Sequence, residues 1–255
     1  MSDDDGRLHY ILVTDSLSTM VSVIMNTINE KPELLNRAID SYISQPNCEL
    51  IISTITGDPC VAALRRRYGS NIKMVKMPRK DHPCGQGGKS PKGSYLQLNN
   101  ALPLITGNWF TFASGNDYSY PFKLALEKRI CLIQKKEICY SAYDYAFPDG
   151  ERKTQPFFSY DRARHQRGNF VSDCALISRR LVDKYLPFKV EMNNYAYWDL
   201  WLRIYKGEGD VFAYNSKPTW VYIQDHDAMH TQRKADPNKI RQAEIDKNTM
   251  LSLHK

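Results

Sequence analysis

An apolar, aromatic run, Trp109-Phe110-Thr111-Phe112-Ala113, stops abruptly in Ser114-Gly115-Asn116-Asp117. That is the pattern of a buried strand that delivers a carboxylate to the mouth of a sheet. Open α/β sheets take their ligands outside the carboxyl ends of their strands, so Asp117 stands where a ligand, or a metal carrying it, would be met. Residues 21–25 form another β-branched run, 49–55 a second, and 72–77 alternate like a third. Pro32 suits the first turn of a helix whose apolar face is Leu34, Leu35, Ala38, Ile39, Tyr42 and Ile43. A short helix over 61–68 ends at Gly69. Strand, helix, strand, helix, strand predicts a mainly parallel sheet with right-handed crossovers.

Residues 78–94 are rich in Gly, Pro and Lys, have no period and read as a long loop. A helix over 95–105 is expected to stop at Gly107. Beyond the central strand come a helix over 121–134, a strand over 137–147 and a hairpin turn at Pro148-Asp149-Gly150. Residues 152–168 look irregular, 169–178 look like a strand, and 179–186 a short helix. An amphipathic helix over 196–206 and short strands over 210–214 and 219–224 follow. An extra strand at 10–13 would precede the domain. With neither repeats nor a linker, the expected division is an N-terminal extension (1–20), one α/β domain (21–231) and a charged tail (232–255) that forms one exposed helix.

The net charge of +7 fits an anionic ligand such as a nucleotide, and equally nucleic acid or an acidic surface. No basic stripe alternates with aromatics in the strands, which ranks nucleic acid last. The six cysteines show no Cys-x-x-Cys spacing, which argues against a zinc ribbon or thiol-redox motif and suits a reducing compartment. The start, Met1-Ser2-Asp3-Asp4-Asp5, lacks the apolar core of a signal peptide, and no apolar run is long enough to cross a bilayer. The expectation is a cytoplasmic protein, with peripheral membrane attachment left open.

Four constellations carry chemistry, and each has a plainer reading. Asp117 offers a hard oxygen to Mg²⁺ or Mn²⁺, yet Ser, Gly, Asn and Asp are also simple turn formers. Asn26-Thr27-Ile28-Asn29 can offer polar groups to a base or ribose, or Asn29 can cap the next helix. Asp199, in Trp198-Asp199-Leu200-Trp201-Leu202-Arg203, can deprotonate a hydroxyl, or can merely sit well with the helix dipole. His226 can be a metal ligand or an ordinary loop histidine.

In this order the pieces resemble the family 2 glycosyltransferases, which have the GT-A fold. The likeness runs from Val21 to His230: the opening Val-Ser-Val-Ile-Met-Asn-Thr-Ile-Asn-Glu, the strand Glu49-Leu50-Ile51-Ile52, Asn99-Asn100-Ala101-Leu102 with Thr106-Gly107-Asn108-Trp109, and Trp198–Arg203. The resemblance implies a GT-A-like, Rossmann-like α/β fold with a mixed, mainly parallel sheet flanked by helices. It implies transfer of a hexose or pentose from a nucleotide-diphosphate sugar of the UDP or GDP type to a hydroxyl of a glycan or other acceptor, mostly with inversion. By position, Thr27, Glu30, Thr54, Asn100 and Asn116 would lie at the nucleotide sugar. Asp117 would hold Mn²⁺ or Mg²⁺ across the diphosphate with His226 as a second ligand, and Asp199 would be the base. The loop over 78–94 would close over the donor or line the acceptor site.

The chain also departs from the family pattern. The second strand ends Ser53-Thr54-Ile55-Thr56, without a carboxylate until Asp58. Ser114 and Asn116 stand where Asp is usual, and Ala196 and Tyr197 replace an acidic pair, which leaves Glu191 as an alternative base. The reduced acidic motif motivates a second reading, a catalytically weak nucleotide- or glycan-binding module.

Overall fold

The computed structural model describes residues 19–83, 91–224 and 237–254. The expected strand at 10–13, residues 84–90 of the long loop and the candidate ligand His226 lie outside the described residues. The first half of the chain runs β1 (Val21–Asn26), α1 (Pro32–Ile43), β2 (Cys48–Ile55), α2 (Cys60–Tyr68), β3 (Lys73–Met77), α3 (Pro91–Ala101), β4 (Trp109–Ser114), β5 (Tyr118–Ser119) and α4 (Lys123–Gln134). The second half runs β6 (Ile138–Ser141), β7 (Tyr143–Ala146), β8 (Arg152–Gln155), α5 (Arg162–His165), β9 (Leu176–Ser178), α6 (Arg179–Tyr185), α7 (Ala196–Glu208), β10 (Phe212–Asn215), β11 (Trp220–Ile223) and α8 (Pro237–Ser252).

The main sheet has seven strands in the order β10-β6-β9-β4-β1-β2-β3. All neighbours are parallel except β9, which runs against both β4 and β6. Side chains alternate across it as the pleat requires. Val21, Val23 and Met25 of β1 pack with Leu35, Ile39 and Tyr42 of α1 on one face. Ile24 of β1, with Phe110 and Phe112 of β4, joins α3 and Trp201 of α7 on the other. Pro32 does open α1, as expected. Asn29 is not its cap, because Lys31 holds that place and Asn29 takes a left-handed φ of 50°.

Gly107 has a different role from the expected helix stop. The helix ends at Ala101 and a 3-10 turn (Leu102–Leu104) follows. A Cβ at Gly107 would lie 2.7 Å from both Met20 O and Ser22 N, so glycine is required by a close backbone approach at the start of β1.

The expected strand over 137–147 is two strands in two sheets. It breaks at fully buried Ala142, where β6 leaves the main sheet and β7 enters a small one ordered β5-β11-β7-β8. The break leaves no mark in the sequence pattern, although β6 is buried throughout and β7 is half-buried. The irregular-looking stretch contributes β8 and the short α5, and the strand expected at 169–178 is reduced to β9. The charged tail does form a helix, but it docks: Met250 is fully buried in the core and Asn193 Nδ2 donates to Asp246 Oδ2 at 2.9 Å.

Candidate active site

In the main sheet β1 leads outward to β2 on one side while β4 flanks it on the other. The strand order therefore reverses between β1 and β4, and such a switch point leaves a crevice outside the strand ends. Register places the ends level: Asn26 of β1 is opposite Ser53 of β2 and Ser114 of β4. A cavity of about 320 Å³ opens there. Asn26, Phe112 and Ser114 line it from the strand ends, Tyr95 and Leu98 from α3, and Tyr197 from α7. Trp220 and Tyr222 of the small sheet close the far wall.

Asp117 reaches this cavity from the turn that carries the chain from β4 in the main sheet to β5 in the small one. It is 7% exposed, and its Oδ1 accepts from Ile223 N of β11 at 2.8 Å. Gly115 lets the turn sit close to the end of β1: a Cβ there would be 3.1 Å from Thr27 Cβ, Thr27 Oγ1 and Glu30 Cγ. Thr27 is buried, and its Oγ1 has no hydrogen-bond partner among the described residues. Its backbone is held by Ser53 O, accepting at 2.9 Å, and by Gln97 Nε2, donating to its carbonyl at 3.2 Å. Ser114 Oγ donates to Asn116 Oδ1, so these two side chains fix each other.

The other expected site residues are distributed more widely. Glu30 lines a separate hollow of about 310 Å³ between α1 and α2. Thr54 is buried below the strand end, where its hydroxyl donates to Asp58 Oδ2 at 2.8 Å. Asp58 also accepts from Cys60 N at 2.9 Å and Asn29 N at 3.3 Å, knitting the β1 and β2 ends together. Asn100 is exposed on α3 and does not line the cavity, whereas its neighbour Asn99 clamps both backbone groups of Phe188. Asp199 is fully buried away from the cavity. It accepts from Arg203 Nε at 2.7 Å and pairs with His254 Nε2 at 2.9 Å. Burial would raise its pKa, but His254, Arg203 and Lys189 outweigh that and hold it below the ordinary carboxylate range. Glu191 is exposed and likewise absent from the cavity lining.

One acid in the cavity has no sequence motif around it. Asp173 precedes β9 and is exposed toward the cavity, but protein crowds it closely enough that desolvation pushes its carboxyl up to about 7. The only sequence signal is a lone charge in Val171-Ser172-Asp173-Cys174-Ala175-Leu176, a small and apolar run entering a strand. Its backbone is pinned on both sides. Cys174 N donates to Ser172 Oγ at 3.1 Å, and Cys174 O accepts from Lys123 Nζ at 2.8 Å and Thr111 Oγ1 at 2.9 Å. Lys123 is in turn held by Glu127, at 2.8 and 2.9 Å to its two oxygens, and both side chains are buried.

Among the described residues no three His, Cys, Asp or Glu side chains converge on one metal position. Hard oxygens meet the cavity, among them the Asp117 and Asp173 carboxylates, the Ser114 hydroxyl and the Asn26 amide. These suit Mg²⁺ or Mn²⁺, which bind through one or two carboxylates and complete their shell with substrate phosphates and water.

No protein-family model matches the chain, and no curated protein matches its sequence. Solved structures match it in fold, and that fold is the GT-A fold found in glycosyltransferases. S. aureus TarS residues 1–349 in complex with UDP-GlcNAc aligns with a TM-score of 0.64 at 13% identity, over 92% of this chain and 71% of that one. A longer TarS structure aligns at 0.62 and 14% identity, and this chain covers 42% of its length. Glucosyl-3-phosphoglycerate synthase from Mycobacterium tuberculosis, in complex with Mn²⁺, UDP and glucosyl-3-phosphoglycerate, aligns at 0.60 and 15% identity over 96% of this chain and 84% of its own. At these identities the likeness is one of fold.

Proposed function

We propose that this protein transfers a sugar from a nucleotide-diphosphate sugar to an acceptor hydroxyl. The observation that carries the reading is the cavity at the β1/β4 switch point with Asp117 at its edge, in a fold that holds UDP-GlcNAc in TarS and Mn²⁺ with UDP in the mycobacterial synthase. The donor is of the UDP or GDP type and the acceptor a glycan or other hydroxyl compound. Asp117 and Ser114 would hold a divalent ion at the cavity edge, where it supplies Lewis-acid stabilisation of the leaving diphosphate. Asn26, which lines the cavity, would meet the nucleotide or its sugar, with Asn116, the orphaned hydroxyl of Thr27, Glu30 and Thr54 grouped around the same strand ends outside its lining. Displacement in a single step would invert the anomeric centre. The free thiols Cys48, Cys60, Cys131, Cys139 and Cys174 suit the cytoplasm. No helix among the described residues is long and apolar enough to cross a membrane.

A second reading, a nucleotide- or glycan-binding module with little turnover, draws on the mutual Ser114–Asn116 hydrogen bond and on the absence of acids at 196 and 197. Thermal shift and calorimetry with UDP-GlcNAc, UDP-glucose and GDP-mannose, with and without Mn²⁺, separate the readings when combined with a turnover assay. The transferase reading expects metal-dependent binding and release of nucleoside diphosphate, both lost in Asp117→Ala. Tight binding without turnover across a broad acceptor panel supports the module, and undiminished metal-independent turnover by Asp117→Ala refutes the role of Asp117.

A further inference from the structure

Sugar transfer needs a group that removes the acceptor's proton, and the late helix does not present one to the cavity. Asp199 is fully buried and engaged by Arg203 and His254. Ala196 has no acid function, and Tyr197, whose side chain does line the cavity, is held protonated by burial.

We propose that Asp173 is the catalytic base; this rests on the transferase reading above. Two acids line the cavity, and they enter it from different elements. Asp117 comes from the β4–β5 turn and leans on β11 through Ile223 N. Asp173 comes from the segment before β9, which runs antiparallel between β4 and β6. No hydrogen bond or ion pair ties the Asp173 carboxylate to another described side chain, so its oxygens are available to a hydroxyl in the cavity. The groups around it are the phenols of Tyr95, Tyr143, Tyr197 and Tyr222 and the Cys174 thiol, each of whose protons is made harder to lose in part by the Asp173 charge. None of these is a cation that would pin the carboxylate. Trp220, which also lines the cavity, has an indole N–H without a partner among the described residues. Flat aromatic walls beside an unpaired carboxylate suit a sugar ring, which stacks its C–H face and presents its hydroxyls at the edge.

In the step, the acceptor oxygen bonds to the anomeric carbon as its proton passes to Asp173. The bond from that carbon to the diphosphate oxygen breaks, and its electron pair leaves on the diphosphate. A base whose affinity for protons lies near neutrality is well matched to this transfer. Asp173 keeps its place because Lys123 and Thr111 hold the Cys174 carbonyl next to it.

The test uses the full chain with Mn²⁺ and UDP-GlcNAc, UDP-glucose or GDP-mannose, following binding by calorimetry and release of nucleoside diphosphate to water or acceptor. Asp173→Asn is expected to bind the donor within about threefold of the unaltered protein and to turn over roughly 10²–10⁴-fold more slowly. Asp173→Ala, which leaves room for a small carboxylate, should regain part of the rate when formate is added. Turnover by Asp173→Asn within threefold of the unaltered protein overturns the assignment and leaves the transferase reading standing. Loss of donor binding together with turnover also overturns it, because the residue would then be a binding group. Absence of binding by the unaltered protein to all three donors overturns both.

Discussion

Removing the Glu127 carboxylate strands a buried ammonium, and the cost can be worked from the contacts. The Lys123 and Glu127 side chains are 0% and 1% exposed. Glu127 accepts from Lys123 Nζ on both oxygens, and its Oε1 also accepts from Ser141 Oγ at 2.8 Å and Thr219 Oγ1 at 2.7 Å. In Glu127→Leu, Lys123 keeps the Cys174 carbonyl but loses its counter-charge. Breaking a buried pair from one side costs about 3–5 kcal/mol, and two hydroxyls left without their acceptor add about 1 kcal/mol each. The sum, about 5–7 kcal/mol, is of the order of the whole stability of a typical domain. At roughly 2–4 °C per kcal/mol for a chain of this size, the melting temperature should fall by about 10–28 °C. Lys123→Met combined with Glu127→Leu removes both charges and should be more stable than Glu127→Leu alone by about 1–3 kcal/mol. Urea unfolding followed by far-UV circular dichroism, on the unaltered protein, both single variants and the double, closes the cycle. A loss below about 1 kcal/mol in Glu127→Leu, or a double variant equal to the sum of its singles, refutes the reasoning.

Gly107→Ala should destabilise the fold by about 1–3 kcal/mol or more, because the new methyl meets backbone that cannot move aside; an unchanged urea midpoint would count against that close approach. Asp199→Asn should lower stability by about 2–4 kcal/mol, since Arg203 and His254 lose their charge partner, and should leave donor binding intact; a selective loss of turnover at full stability would restore Asp199 as the base. Asp173 has its folded pKa raised, from an ordinary 3.8 to about 7, so its contribution is fully present below about pH 4 and is lost as pH rises through 7. Asp173→Asn should therefore be more stable than the unaltered protein above pH 7 in metal-free buffer, by about 1–2 kcal/mol after allowing for solvent on its exposed side. The gap should close toward pH 4, and a gap that widens on acidification contradicts the sign.

Much of the parallel half of the fold was legible because its determinants are local. Residues 21–25 and 49–55 carry mostly apolar, β-branched runs, and β1 and β2 match them to within a residue. Pro32 marks a helix start that needs no tertiary information. The apolar run into Asp117 correctly signalled a strand, and that strand ends at the cavity. Of the small sheet, β11 was legible as the strand over 219–224, but β5 and β8 were not, since strands of two to four residues have no measurable period, and the passage through Ala142 changes sheets without changing polarity. The roles of Asp199 and Asp173 depend on partners far along the chain. Asp199 is paired by His254, fifty-five positions later, and Asp173 reaches the cavity only because β9 inserts between β4 and β6. Gly107 ends no helix because its constraint comes from Met20 and Ser22, which sequence adjacency does not reveal.

The chain passes from the seven-stranded sheet to the four-stranded one three times, from Ser114 to Tyr118, from Ser141 to Tyr143 and from Asn215 to Trp220, and returns twice, from Ser119 to Ile138 and from Gln155 to Leu176. The passages at Ala142 and at Asn215–Trp220 are stitched together, since Ala142 N donates to Asn215 O at 3.0 Å and Thr219 N donates to Ala142 O at 3.2 Å. A joint with three such straps cannot swing as a door does, because hinged closure concentrates its rotation in a few unsupported residues. The angle between the back and the far wall of the crevice is thus set at folding. Two walls of the crevice, with both acids, thus belong to one stitched frame, and the walls outside it are the helical ones that carry Tyr95 and Tyr197.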